Sequence, residues 1–421
     1  MSQIDALNIA QDSDFIDPHD DRIIHPQRVA VSDYGIISTA HYAATSAGQR
    51  MYLNGGNAFD AAVAAAFALG VCEPAASGLG GQTMIMLHDH ASGNNVSLDG
   101  SSKAPHRIEP GTLTKSDLRS GYLSTTVPST PAVLAYLLKT YGTKSLEEVL
   151  QPAIELAEKG YRISSLQYFL TRRELDKLRA GNASKFFLKM GRHPYRVGEW
   201  FKQPILANTL KRLATAGIED FYQGEIAQLI HKDMDKNGGL IRDDDLAQIP
   251  WPVERRPLTT RFCGKRIMSL SPPAAGRMLI ETLNIIEEFT AAHRDPDSPQ
   301  GALVLAETLK RANVDRMRYP SDPNLFLQQV DHDVDVMETE YAQQIAQTIQ
   351  DKIEGEGETT HLSAMDSLGN MVALTQSIER VYGSFCASPD LGFLYNNYML
   401  TFNLDDISHP HYLRPGAVPW A

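Results

Sequence analysis

Residues 57–71 read Asn-Ala-Phe-Asp-Ala-Ala-Val-Ala-Ala-Ala-Phe-Ala-Leu-Gly-Val, with Asp60 as the single charge in the run. Its length favours a helix over a strand. Asn57 is suited to cap the helix's first N–H groups. A helix that is apolar on nearly every face has no side to offer to water. It belongs inside a core, where its small side chains let neighbouring elements approach closely. The chain has 421 residues, 43% of them hydrophobic, which is ample for a layered core around such a helix.

The segments on either side supply the layers. Ser77-Gly78-Leu79-Gly80-Gly81 is a loop without the Gly-Lys-Ser/Thr ending of a phosphate loop, which argues against nucleotide binding. Residues 83–88 and 96–100, separated by a turn at Ala91–Asn95, read as a β-hairpin. Ser145 and Glu148 form a capping-box pair; Pro152 is placed to open the next helix and Gly160 to stop it. Ile226, Leu229, Ile230 and Met234 share a helical face that ends before Gly238-Gly239, and 303–318 is a second amphipathic helix.

Composition narrows the function classes. A formal net charge of −12 argues against a nucleic-acid surface, which needs basic groups to displace counterions. Cys72, Cys263 and Cys386 are too few and too scattered for a disulfide framework or a zinc site, and are expected to be small buried thiols. The first residues carry acids every few positions and no continuous apolar stretch, so a polar arm over 1–27 and a cytoplasmic, non-membrane protein are expected. The His19, Asp20, Asp21, His25 and Asp331-His332-Asp333-Val334-Asp335 clusters match no ligand pattern and are expected to be solvated, with no metal.

Residues 351–358, Asp-Lys-Ile-Glu-Gly-Glu-Gly-Glu, are acidic, glycine-containing and almost without apolar surface, the pattern of a loop. Directly after them, Thr360–Met365, a turn at Asp366–Asn370 and Met371–Thr375 read as a second hairpin. Thr359 therefore stands where a loop meets a strand. Cleavage between Glu358 and Thr359 would free an α-amine with a pKa of about 8, able to act as the base for the threonine's own hydroxyl. By propensity alone, a Thr-Thr pair at a strand start is more often just a β-branched pair. His361 alternates faces with Thr360 and suits packing or hydrogen bonding better than catalysis.

Thr359-Thr360-His361-Leu362-Ser363-Ala364-Met365-Asp366, followed by Gly369-Asn370, resembles the nucleophile signature of the γ-glutamyltransferase (glutathione hydrolase) family. So do Asn54-Gly55-Gly56-Asn57-Ala58-Phe59-Asp60-Ala61-Ala62, Glu73-Pro74 through Gly81, Gln151-Pro152-Ala153-Ile154 to Gly160, Phe221-Tyr222-Gln223-Gly224, Asn237-Gly238-Gly239-Leu240, Pro272-Pro273, and the helix from Ala306-Glu307 to Asp315-Arg316. The likeness runs in order from about residue 28 to residue 416. It implies an α+β fold, a four-layer αββα sandwich of the Ntn-hydrolase type. It also implies self-processing into a large subunit (28–358, after the arm) and a small one beginning at Thr359 and running to 421. The acyl-enzyme would form on Thr359, with Ser377 as the second, orienting hydroxyl. The α-amine supplies the base, so no cofactor is expected, and the partner is a small amide or peptide.

Other positions depart from the family. The arginine that grips a glutamate α-carboxylate is replaced by Ser101, which lacks a planar cationic fork; Lys103 nearby would act only as a point charge. Glu379 stands where the family has asparagine, with Arg380 beside it as a replacement charge. After Asn396-Asn397 the groups expected to meet an α-amine become Tyr398, Leu400 and Thr401. The family's serine pair and oxyanion glycines would lie beyond Val418-Pro419-Trp420-Ala421, so the sequence is expected to be a fragment or an impaired homologue. Three readings follow: a γ-glutamyl hydrolase or transferase; an amidase or acylase with another acyl group, such as oxamate or a cephalosporin side chain; and a non-catalytic binding or scaffold homologue.

Overall fold

The buried helix is the centre of the molecule. In the computed structural model, which describes residues 30–295, 297–318, 336–349, 360–407 and 409–419, it is α2 (Ala58–Cys72). Every residue of it except Gly70 is buried. Asn57 caps it as expected, accepting from the N–H groups of Phe59 and Asp60, both at 3.0 Å. Asp60 is fully buried yet well satisfied: it accepts from Asn57 N–H (2.8 Å), Thr143 N–H (2.8 Å), the Thr143 hydroxyl (2.7 Å) and Lys144 N–H (2.9 Å). One carboxylate thus ties the start of α2 to the turn ahead of another helix, and this is how a charge is tolerated in a core.

Around α2 lie α1 (Tyr42–Leu53), α3 (Thr130–Tyr141) and α4 (Leu146–Lys159). Ser145 and Glu148 form the expected capping box, and Gly160 ends α4. Pro152 does not begin a helix; it sits inside α4, where proline lacks a donor and crowds the preceding turn. Val149, Leu150, Ala153, Ile154 and Ala157 are buried on both sides of it, and that continuous apolar contact outweighs the local penalty. Farther along, α5 (Pro204–Ala216) packs on α4, and α6 (Glu225–Lys236) carries the expected Ile226, Ile230 and Met234 face.

The helices cover one face of a six-stranded sheet. Its strands are β1 (Gly35–Thr39), β2 (Gln82–Asp89), β3 (Asn94–Asp99), β4 (Val253–Arg255), β7 (Thr360–Asp366) and β8 (Met371–Ser377), in the order β1-β7-β8-β2-β3-β4. The described neighbours are all antiparallel. Both expected hairpins are present, and Asp366 closes the second by accepting from the N–H groups of Leu368 (2.9 Å) and Asn370 (3.0 Å).

Register decides which residues face α2. Leu362 pairs with Leu374, Leu374 with Ile85 and Ile85 with Leu98; all four are buried at 1% exposure or less. Gln376 donates to the Ala66 carbonyl within α2 at 3.1 Å, confirming the side. Because side chains alternate, Ser363, Met365, Met371, Thr375 and Ser377 point to the other face. Below that face, β5 (Leu258–Phe262) and β6 (Lys265–Ser269) form a two-stranded sheet, and the Ser271 N–H just past it reaches Ser97 Oγ of the large sheet at 3.1 Å. Against this hairpin packs a layer of α7 (Gly276–Glu287), α8 (Pro299–Arg318) and α9 (Thr339–Ile349). The order helix, sheet, sheet, helix is the expected αββα arrangement.

Two cysteines are buried as expected, but Cys263 is exposed. It occupies the two-residue turn between β5 and β6 with φ 47°, followed by Gly264 at φ 74°. Positive φ at both turn residues matches the twist of a tight hairpin and puts the thiol at the tip. Among the described residues no group of His, Cys, Asp and Glu could hold a metal, and no helix is long and apolar enough to cross a membrane.

Candidate active site

Ser377 is the last residue of β8, on the face away from α2, and is 6% exposed. Its Oγ accepts the Glu379 N–H at 2.8 Å, which folds the chain sharply off the strand. Glu379, Tyr382 and Phe385 then adopt φ values of 75°, 63° and 59°, the left-handed region that bulky side chains rarely occupy. Such strain persists only where the surroundings over-determine it, and it concentrates at functional sites. Here Tyr382 N–H bonds to Ala75 O (3.0 Å), and Arg380 N–H bonds to Asn397 Oδ1 (3.1 Å).

A buried polar network lies beneath this turn. Gln82, the first residue of β2, is the cross-strand partner of Ser377. Its Oε1 accepts from both the N–H and the hydroxyl of Ser102 at 2.9 Å. The Thr126 hydroxyl donates to Ser102 Oγ (2.8 Å) and also lies 2.9 Å from Asn396 Oδ1, which accepts the Tyr398 N–H at 3.1 Å as well. Asn396 Nδ2 donates to Gly80 O (2.8 Å), so the glycine loop after α2 is locked to the same hub. The Tyr398 phenol is fully enclosed. Burial pushes its pKa up, Glu379 adds to that, and contact with Ser377 and Gln82 opposes it. The ring therefore stays neutral, a hydroxyl held beside Ser377. Buried networks of this kind fix one geometry because an unpaired member is costly.

The structure brings Ser377, Glu379 and Tyr398 together, and Thr360 pairs with Gln376, so the β7–β8 ladder reaches to within one residue of Ser377. Glu358 and Thr359 lie outside the described residues, as do both His/Asp clusters of the sequence and the side chain of His361. Ser101 is buried and committed: its hydroxyl donates to Asp99 Oδ1 at 2.6 Å. Asp99 Oδ2 in turn accepts from Arg255 Nε (3.0 Å) and Nη2 (2.8 Å). An arginine thus stands near the position where a fork is missing, but a carboxylate holds it. Lys103 is exposed, its backbone paired with Val127. Arg380 is also exposed, while its neighbour Glu379 is partly buried. Burial pushes the Glu379 carboxyl up, and the charges of Arg380 and Arg316 pull it back down. Sequence reasoning missed Gln82, Ser102, Thr126 and Arg255. Their signal is weak because each is contributed by a different segment.

Similarity to known proteins decides the family. A family model described as gamma-glutamyltranspeptidase matches residues 44–420. The chain belongs to the γ-glutamyltranspeptidase family. It is 31% identical over 395 residues to the glutathione hydrolase proenzyme of Pseudomonas sp. (strain A14), covering 88% of this chain and 68% of that protein. A cephalosporin acylase from Bacillus halodurans superposes with a TM-score of 0.82 at 30% identity, over 96% of this chain and 76% of the other. The Helicobacter pylori γ-glutamyltranspeptidase gives 0.71 at 36% identity, over 77% of this chain and 95% of the other. The chain is therefore an enzyme of the amide-cleaving Ntn-hydrolase class, with the family's α+β fold.

Proposed function

We propose that this γ-glutamyltranspeptidase-family chain is a precursor that cuts itself between Glu358 and Thr359. It would then cleave an amide through an acyl-enzyme on Thr359, by hydrolysis or transfer. The observation that carries the reading is the pairing of Thr360 with Gln376, which ends the β7–β8 ladder beside Ser377 and its buried network. The relative from Pseudomonas sp. (strain A14) is named a proenzyme, which supports processing into two subunits from one precursor. In the reaction, the freed α-amine takes the Thr359 proton as the hydroxyl attacks the amide carbonyl, then passes it to the leaving amine. Water or a second amine resolves the ester. Ser377 orients the nucleophile, and the neutral Tyr398 phenol steadies Ser377.

A non-glutamyl acyl group is the favoured substrate. Ser101 offers no fork, and its hydroxyl is already spent on Asp99. The likeness to a cephalosporin acylase points the same way.

Intact-mass analysis of the expressed protein tests the reading. Wild type is expected to release a 358-residue fragment, and Thr359→Ala is expected to stay whole. A wild type that stays whole after long incubation leaves the binding or scaffold reading. If cleavage occurs, ammonia release from small amides against arylamine release from a γ-glutamyl anilide separates the two enzyme readings.

A further inference from the structure

Residues 162–202 carry a charge opposite to that of the whole molecule. They hold ten lysines and arginines against three carboxylates, in a chain whose formal net charge is −12. All ten cations are exposed. The inner side of this lobe is anchored beside the candidate site. The Thr171 and Tyr382 hydroxyls are hydrogen-bonded, Asn182 Nδ2 donates to the Ala387 carbonyl at 2.9 Å, and the Phe187 ring packs on Tyr382. These contacts fix which side of the lobe faces outward.

The outward side is apolar as well as basic. The helix Ser165–Arg173 buries Gln167 and Thr171, one turn apart, and turns Phe169, Arg172 and Arg173 the other way. Phe169 is 60% exposed, the reverse of the usual order in which a helix hides its large apolar side chains. Just ahead of this helix, Tyr161-Arg162 pairs with Trp200-Phe201. Tyr161 and Phe201 face the core, so Arg162 and Trp200 face out, the guanidinium 5.1 Å from the ring centroid. The turn after Lys189 adds Met190. A φ of 54° there and 70° at Gly191 push its side chain out between Lys189 and Arg192, at 89% exposure. Lys189 Nζ reaches Glu199, next to Trp200, at 2.7 Å, which joins the turn to the strand pair. Large apolar side chains gathered on a solvent face need a partner to cover them.

We infer that this lobe is a peripheral attachment face for a bilayer that carries acidic phospholipid headgroups. The cations meet the headgroup phosphates, while Phe169, Met190 and Trp200 enter the boundary with the acyl chains. The long stems of lysine and arginine lie along the apolar surface between them. A soluble polyanion would answer the charges but leave Met190 and Phe169 in water. Nothing here spans the bilayer: among the described residues no helix is long and apolar enough to cross a membrane. Attachment is also independent of the amide chemistry at Ser377.

Sedimentation of the full chain with lipid vesicles tests this. Vesicles of equal parts phosphatidylglycerol and phosphatidylcholine are expected to bind about tenfold more tightly than phosphatidylcholine alone, and added salt to weaken that binding. Arg172→Glu and Arg192→Glu are each expected to weaken it about tenfold, and Phe169→Ser about fivefold. All three positions are exposed, and a melting curve identifies any variant that fails to fold. Trp200 adds a spectroscopic reading. Tryptophan fluorescence is expected to shift to the blue on anionic vesicles, and Trp200→Phe to remove the shift while keeping most of the binding. Equal binding to the two vesicle types overturns the assignment. So does undiminished binding in the folded Glu variants or in Phe169→Ser, and so does a blue shift that survives in Trp200→Phe. A single-stranded oligonucleotide or polyglutamate bound as tightly, at the same anion concentration, also overturns it, since the lobe would then read soluble polyanions.

Discussion

Along β7 and β8 the two faces of one sheet have different fates. Leu362, Ala364, Val372 and Leu374 press toward α2 at 5% exposure or less, while Met365 and Met371 on the same strands are 40% and 47% exposed. Yet Ser377, on the same side as the exposed methionines, is 6% exposed, because the Glu379–Phe385 turn and Tyr398 fold over it. The first face is closed by apolar packing and the second by hydrogen bonds at one end only. The apolar core lies on the α2 face and the candidate site on the other, and a two-residue period keeps them apart.

That contrast can be broken by paired substitutions. Leu374→Ala should cost about 2–5 kcal/mol, the usual loss for a large-to-small change in a core, measured by urea unfolding. Met371→Ala, three residues away, should stay within about 0.5 kcal/mol, as expected for an exposed position. Similar losses from the two would mean that the second face is covered as fully as the first. Ser377→Ala should lower amide turnover about a hundredfold through a misplaced nucleophile, with a far smaller change in melting temperature than Leu374→Ala. A large melting shift with turnover intact would move Ser377 to the structural side of the comparison. Gln376→Met, next to it but on the α2 face, should do the opposite, leaving turnover intact and costing about 0.5–1.5 kcal/mol by removing its hydrogen bond to the Ala66 carbonyl.

The smallest expected effect concerns pH in the outer helix layer. Glu281 binds its proton more tightly in the folded protein, at about 8, than the ordinary glutamate value of 4.5. Between those values the folded state holds more protons, so stability falls as pH rises through that window. Glu281→Gln mimics the protonated acid and should flatten that decline in melting temperature between pH 5 and about pH 8. An unchanged slope would show that the decline comes from other groups.

Much of this was legible from local pattern. The Asn57 cap, the Ser145–Glu148 box, the Gly160 stop and both hairpins depend on neighbours in sequence, and each is present. Pro152 failed because a local penalty lost to packing that spans four turns of helix, and Cys263 because turn geometry overrode the usual burial of thiols. At the candidate site, family likeness pointed to Ser377, Glu379 and Tyr398, and the structure places the three beside one another. Neither pattern nor likeness revealed that Ser101 is tied to Asp99.

The sequence by itself determined that a helix without a polar face must be enclosed, and that alternating strands would lie against it. Periodicity and capping act over a few residues and need no knowledge of distant partners. Tertiary structure alone decided which charges are answered. Asp99 meets Arg255 from 156 residues away, and Arg316 and Glu379 approach each other from separate elements. Electrostatic energy depends on distance and burial in space, and a linear order of residues specifies neither.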